Sequence, residues 1–255
     1  MTSSSNKQLG GDFLLTHNML THTGTREYNE DSAISVKTNG NYCFVVADGL
    51  GGHGKGEVAS QKVTEVFGRE FRVNAERNEH FFEHAFATAQ DEILALQKAE
   101  GTKFEMKTTA VCLSIIDGIC QWGHVGDSRL YAFYKNKVKF RTLDHSVPQM
   151  LALSGEIKEK HIRHHPDRNR LLRVIGVEWD SPRYELSEEF PLTDYGAFLL
   201  CTDGFWELID PKDMGKFLKK SSTVDEWLEL MAAEVKKNGS GQDMDNYTAI
   251  AVMCS

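Results

Sequence analysis

Apolar residues in this chain follow two rhythms. Short unbroken runs rich in β-branched and aromatic side chains, each closed by a turn-forming cluster, predict strands. They cover residues 14–21, 32–36, 42–47, 110–116, 119–125, 130–134, 138–143, 182–186, 197–202 and 248–253. Elsewhere apolar positions recur about every three or four residues, as a helix with one buried face requires. One such stretch opens at Glu57 with Val58, Val63, Val66, Phe67 and Phe71. A second covers 79–98 with Phe82, Phe86, Ala89, Ile93 and Leu96 on one face. A short one holds Val147, Met150 and Leu151 before a stop at Gly155, and the last, 224–237, carries Val224, Trp227, Leu228, Met231 and Val235. Asn39-Gly40, Asp117-Gly118 and Lys135-Asn136-Lys137 join consecutive strands. Such pairs favour tight hairpins, so the sheets are expected to be largely antiparallel.

No Pro/Ser-rich linker and no internal repeat interrupts the pattern. Residues 1–12 read as a loose, flexible tail and 13–255 as one domain. The segment from Asp144 to about Asp180 changes character, with a basic, His-rich stretch at 158–170. It reads as an excursion over the surface, a flap. His161, His164 and His165 offer a soft-metal alternative there, but no orienting partners are evident, and a basic face toward phosphate fits better.

Composition narrows the classes. Against 29 Lys+Arg stand 37 Asp+Glu, a formal charge of −8, which argues against non-specific binding to nucleic acid or an anionic membrane. A phosphorylated partner stays open, since local basic patches survive a negative total. No apolar run approaches the roughly 20 residues of a membrane span. The polar N-terminus lacks a secretion signal, so the expected address is cytoplasmic. Five cysteines, Cys43, Cys112, Cys120, Cys201 and Cys254, show no metal-ligand spacing. They read as small buried hydrophobes in a reducing compartment.

Candidate chemistry concentrates at Tyr42–Ser60, where a strand delivers Asp48 to a loop with glycines at 49, 51, 52, 54 and 56. Bare backbone there lets a metal or phosphate approach closely. Gly49 to Lys55 fits the first seven positions of the phosphate loop of nucleotide hydrolases, and Phe198 to Asp203 could pass for its acidic second half. Gly56 stands where that loop needs Ser or Thr, and a nucleotide fold would need a mostly parallel sheet. The polar knot Gly24–Asp31 is by itself a solvated turn. Four acids share one layout beside apolar strands: Asp48-Gly49, Gly126-Asp127, Asp203-Gly204 and Asp245-Asn246. One alone is a strand cap. Four together would repel one another unless cations hold them, and oxygen donors select Mg2+ or Mn2+ over zinc. Such ions can share a water, lower its pKa and stage an in-line attack on phosphorus.

Arg26-x-x-Asn29-Glu30-Asp31, Ala47 to Ser60, Thr108-Thr109-Ala110, Gly126 to Arg129, Thr202-Asp203-Gly204 and Asp245-Asn246 together resemble the ordered motifs of the metal-dependent protein phosphatases. This is the type 2C serine/threonine family in its bacterial form. Asp144-His145-Ser146 and the stretch from His164 to Leu171 resemble its flap. The likeness spans about residues 20 to 253 and implies an α+β fold, a four-layer αββα sandwich of two antiparallel sheets flanked by helices. It implies two core metals, Mn2+ or Mg2+, bridged by Asp48, with the Gly49 carbonyl on the second. Asp203 and Asp245 would complete the first metal's shell, and Glu30 and Asp31 would act on the second through waters. Asp127 with Asp203 would hold a weaker third ion. Arg26 would grip the substrate phosphate, a task suited to its planar fork.

The implied activity is hydrolysis of phosphoserine and phosphothreonine by a metal-bridging hydroxide, without a phospho-enzyme. The implied partners are phosphorylated proteins and an opposing serine/threonine kinase, with the enzyme a monomer. Two details depart from the family pattern. Leu50 replaces a His that some members place after Asp-Gly, which leaves His53 or a metal-bound water as leaving-group acid. Lys107 replaces the usual Gly before Thr-Thr. A catalytically silent binding module would need a missing ligand, and none of the proposed ligands is missing.

Overall fold

The computed structural model describes residues 15–51 and 55–254. The tail at 1–12 and His53 lie outside the described residues. In chain order the elements begin with strands β1 (Leu15–His22), β2 (Asp31–Thr38) and β3 (Asn41–Leu50), then helices α1 (Lys55–Asn74) and α2 (Asn78–Glu100). Strands β4 (Lys107–Thr108), β5 (Ala110–Ile116), β6 (Ile119–Val125), β7 (Arg129–Tyr134) and β8 (Lys137–Arg141) lead to α3 (Val147–Leu153). After a 3-10 turn at Glu159–His164 come β9 (Glu185–Leu186), β10 (Phe190–Pro191) and β11 (Ala197–Cys201). Helices α4 (Asp203–Trp206), α5 (Pro211–Lys220) and α6 (Val224–Gly239) precede the closing β12 (Tyr247–Cys254).

Two antiparallel sheets result. One runs β1-β12-β11-β7-β8, the other β10-β6-β5-β3-β2, with β4 added beside β3 and β9 beside β6. The period of two along each strand sorts its side chains into different cores. In β3, Cys43, Val45 and Ala47 face the layer of α1 and α2, while Phe44 and Val46 face the other sheet. In β12, Ala249 and Ala251 join the core with α4, α5 and α6, and Ile250 and Val252 meet the sheet that contains β3. Both faces of each sheet are thus covered, which is why these strands read as unbroken apolar runs. The expected αββα sandwich is the observed one. Asn39 and Gly40 both take positive φ, 50° and 84°, as do Asp117 and Gly118 at 50° and 75°, the pattern of a primed hairpin turn. Four of the five cysteines are buried, Cys254 partly so.

The structure departs from the sequence expectation in four places. β3 does not stop at Asp48 but continues to Leu50, because Gly49 and Leu50 pair with Thr108 and Lys107. The strand expected at 182–186 shrinks to Glu185–Leu186: Pro182 has no N–H to donate, and Phe190–Pro191 takes the remaining edge of β6. Helix α5 escapes the apolar rhythm, since few of its residues are buried. Its start was marked all the same, by Asp210, whose side chain accepts from Lys212 N, followed by Pro211. The excursion at 144–180 is seated rather than laid over the surface. Ile162 is buried in the core under α5 and α6, and Ile175 in the core under α1 and α2.

One buried ion pair ties the root of that segment to the sandwich. Arg129 donates to both oxygens of Asp144, at 2.7 and 2.6 Å, and its guanidinium lies 3.3 Å from the centroid of Trp206. Both partners are almost fully buried. Removing one leaves an uncompensated charge inside, so Asp144→Ala is expected to destabilise the fold by about 3–5 kcal/mol. The check is the urea midpoint; a loss below about 1 kcal/mol, the size of an exposed pair, would contradict a buried role.

Candidate metal centre

The acids come from both sheets and meet at one end of the sandwich. Antiparallel pairing sets Asp31 opposite Asp48 on the neighbouring strands β2 and β3. Asp203 opens α4 directly after β11, whose Cys201 pairs with Arg129 at the start of β7, two residues after Asp127. Pairing of Tyr247 with His22 brings Asp245 beside the turn that carries Arg26. The cleft is lined by Arg26, Glu30, Asp48, Gly49, Asp127, Asp203 and Asp245. Asp31 alone of the expected set is absent from this lining; it is buried next to the cleft.

Local hydrogen bonds explain the motif residues around these acids. The Asp48 carbonyl accepts from Thr109 N at 2.9 Å and Thr108 Oγ1 at 2.8 Å, and Asp48 N donates to Thr109 Oγ1 at 3.0 Å. The Thr-Thr pair is therefore a clamp on the backbone of Asp48. Gly49 is required by close approach, since a Cβ there would collide with the Gly56 carbonyl. Asn246 holds the turn between β1 and β2 at three points: its Nδ2 donates to the carbonyls of Thr23 and Tyr28, at 2.8 and 2.9 Å, and its Oδ1 accepts from Glu30 N at 2.8 Å. Trp206 Nε1 donates to the Asp127 carbonyl at 3.0 Å.

Other residues here have no individual role in the sequence pattern. Thr202 Oγ1 donates to Asp31 Oδ2 at 2.9 Å and accepts from Thr248 N at 3.0 Å. Glu27, Tyr28, Lys107, Asn169 and Leu171 also line the cleft. The resemblance marks the motifs holding Thr202, Asn169 and Leu171, but their contacts exist only in the folded chain.

Burial and mutual repulsion dominate the electrostatics. Burial first, then Asp203 and the other acids, pushes Asp48 well above the usual carboxylate range. Asp127 is driven the same way by burial and Asp203. Burial raises Asp31 to about 7, Thr202 and Thr248 partly offsetting it, and raises Asp203 to about 6 with Asp245 adding to the rise. Arg26 is exposed and bonds Asp245 at 3.0 Å, at the rim. The donor set is oxygen only, and Asp31 Oδ1 is a buried acceptor without a partner among the described residues. Those residues fit hard divalent ions.

The aspartates share a cleft without three of them closing on one point. A site for two ions has this spread, because hard cations keep waters among their ligands. Among the described residues the group of three that does close, with ligand atoms within 4.8 Å of one another, is His124, His145 and Glu185. Its proton inventory suits a pin better than a metal. Gly126 N donates to His145 Nδ1 at 3.1 Å, which leaves the ring proton on Nε2, facing Glu185 at 3.1 Å, and Arg173 adds a cation 3.3 Å from that nitrogen. Burial and the stacked His124 hold His145 down to about 4, so it is neutral near pH 7. His161, His164 and His165 form no such group among the described residues. The phosphate-loop alternative also fails: the sheets are antiparallel, and Lys55 opens α1 and pairs with Glu100 at 2.5 Å.

A four-layer sandwich that gathers carboxylates at one end beside a guanidinium defines a class, the divalent-metal enzymes of phosphate esters. The model of the family described as protein phosphatase 2C matches residues 20–246, and the chain belongs to that family, the metal-dependent serine/threonine phosphatases. It is 30% identical over 233 residues to the serine/threonine phosphatase stp of Listeria monocytogenes, covering 89% of this chain and 90% of that one. Its fold matches the crystal structure of serine/threonine phosphatase Stp1 from Staphylococcus aureus with a TM-score of 0.83 at 26% identity, over 99% of both chains. The catalytic domain of the phosphatase PstP, solved with two manganese ions, matches with a TM-score of 0.79 over 95% of this chain and 99% of that one. At 22% identity that likeness speaks for the fold.

The raised pKa values set a pH dependence. Without metal, the folded chain keeps protons on Asp203 and Asp31 that an unfolded chain, with aspartates near 3.9, has released. Their contribution to stability is greatest below about pH 4 and is lost as pH rises through 6 to 7. A divalent ion held by these acids would displace those protons. The Mn2+-induced rise in Tm is therefore expected to be larger at pH 7.5 than at pH 5.5, with net proton release in calorimetric titrations using buffers of different ionisation enthalpy. An equal rise at both pH values, with no proton release, would place the ligands elsewhere.

Proposed function

We propose that Asp48, Asp203 and Asp245 hold the first of two core divalent ions, Mn2+ or Mg2+, with Asp48 and the Gly49 carbonyl on the second. Glu30 and Asp31 bear on the second ion through water, and Asp127 with Asp203 takes a weaker third. Bound there, the ions supply Lewis acidity and a nucleophile at neutral pH, so no phospho-enzyme is required. The observation that carries this reading is the convergence of acids from both sheets on one cleft, with no lysine ion pair to any of them among the described residues.

The protein's own groups bind and orient the substrate. Arg26, held at the rim by Asp245, can turn its fork to two phosphate oxygens. Asp245 then acts as its rest position and fixes where the guanidinium starts. The Thr108-Thr109 clamp and Asn246 hold the acids on rigid backbone, so their geometry need not form when substrate arrives. Residues 13–255 act as one catalytic domain, with 144–180 as its flap. The substrates are phosphoserine and phosphothreonine in proteins, opposed by a serine/threonine kinase. The enzyme works as a cytoplasmic monomer; no described helix is long and apolar enough to cross a membrane.

Hydrolysis of a phosphothreonine peptide with and without added Mn2+ tests the reading. Asp48→Asn and Asp203→Asn are expected to abolish turnover with an unchanged circular dichroism spectrum. Arg26→Ala should lower kcat/KM by about 10- to 100-fold, the loss of one or two charge-assisted hydrogen bonds. Full activity in a chelator would overturn it.

A further inference from the structure

We propose that Lys107 is a specificity-determining residue that binds a second anionic group beside the scissile phosphate of the substrate; this rests on the phosphatase reading above. Among the described residues two cationic side chains line the cleft, Arg26 and Lys107. They stand on opposite sides of Asp48. Strand β3 pairs on one edge with β2, where Asp31 faces Asp48, and on its other edge with β4, where Lys107 faces Leu50. Arg26 meets Asp245 on the first side. Lys107 forms no ion pair with any acid among the described residues, although the cleft is rich in them.

The backbone under Lys107 is fixed. Met106 and Thr108 on either side are fully buried. Strand alternation therefore turns Lys107 away from the core and toward the cleft. The Met106 carbonyl accepts from Gln97 Nε2 at 2.7 Å. Thr108 exchanges both backbone hydrogen bonds with Ile175, at 3.1 and 2.9 Å, and its hydroxyl donates to the Asp48 carbonyl. The cation is thus tied to the same backbone that places the central acid, and only its side chain is free to move.

Its offset argues for a flanking group over the scissile phosphate itself. Lys107 pairs two residues beyond Asp48, about 7 Å along the strand at about 3.3 Å per residue. An extended peptide advances by the same rise, so an anion one or two residues from the phosphorylated one would come within reach. That anion can be a carboxylate or a second phosphate. Both offer oxygen acceptors to an ammonium donor, and lysine binds either as a point charge.

The test measures kcat and KM for three phosphothreonine peptides of one scaffold, with neutral flanks, with glutamates flanking, and with a neighbouring phosphoserine. p-Nitrophenyl phosphate serves as a flankless control, and the enzymes are the Mn2+-loaded parent, Lys107→Met and Lys107→Arg. The parent should prefer the anionic peptides by about three- to tenfold in kcat/KM, chiefly through KM, as one partly exposed charge pair allows. That preference should collapse toward one in Lys107→Met, persist in Lys107→Arg and weaken with salt. Whichever anionic peptide shows the larger parent-to-methionine change identifies the anion. No preference in the parent, a preference untouched in Lys107→Met, or an equal loss on p-nitrophenyl phosphate would each overturn the proposal. Absence of Mn2+-dependent hydrolysis of any substrate by the parent would instead sink the phosphatase reading.

Discussion

Repulsion among carboxylates is the constraint to which the rest of this structure answers. Asp31, Asp48, Asp127 and Asp203 sit where water is scarce; Asp203, Asp31 and Asp127 all raise the pKa of Asp48, and Asp203 raises those of Asp31 and Asp127 as well. Left to local preference such groups would point away from one another into solvent. The chain prevents this by mounting each acid on a different segment of hydrogen-bonded backbone. Asp48 is clamped by Thr108 and Thr109, Asp127 is held through its carbonyl by Trp206, and Asp31 is bonded by Thr202. Rigid backbone, stabilised by packing far from the cleft, opposes the local cost.

The sandwich supplies that rigidity because three separate apolar layers flank its two sheets. Strands buried on both faces cannot shift register by one residue without exchanging their two sets of side chains. A slip of β3 against β2 would move Asp48 out of line with Asp31, and a slip of β12 would carry Asp245 from Arg26. The geometry of the site is thus an outcome of register, and register follows from which apolar residues alternate along each strand. The primed hairpin turns at Asn39-Gly40 and Asp117-Gly118 add a second, local determinant of the same register.

This division explains what was legible in the sequence. Strands and hairpins announce themselves by apolar runs and turn pairs, and Asp48 and Asp203 are visible at their ends. Helix α5 is less visible because a helix capping a sheet edge needs few buried residues; its Asp-Pro start was the available signal. The roles of Thr202, Asn246 and the Thr108-Thr109 clamp depend on partners up to 223 positions away, which no local pattern encodes. The glycines after Asp48 show the opposite hazard. Their spacing imitates a phosphate loop, while at Gly49 and Gly51 the absent side chains make room for the carbonyls of Gly56 and Glu105.

Asp127 shows how the constraint extends to the segment above the cleft. Its neighbour Gly126 is bonded in both directions to His145, its N–H to the imidazole at 3.1 Å and its carbonyl from the His145 N–H at 2.9 Å. Two residues on, Arg129 grips Asp144 and stacks on Trp206, whose indole returns to the Asp127 carbonyl. Trp206 belongs to the same helical turn as Asp203. Asp127 and Asp203 are therefore joined through one indole ring, and the root of the 144–180 segment is joined to both. A shift of that segment at its root cannot leave the spacing of the two acids unchanged, because the links between them are short, buried and without slack. The placement of acids for an ion and the seating of the segment over the cleft are one mechanical problem, solved by the Arg129, Asp144 and Trp206 cluster.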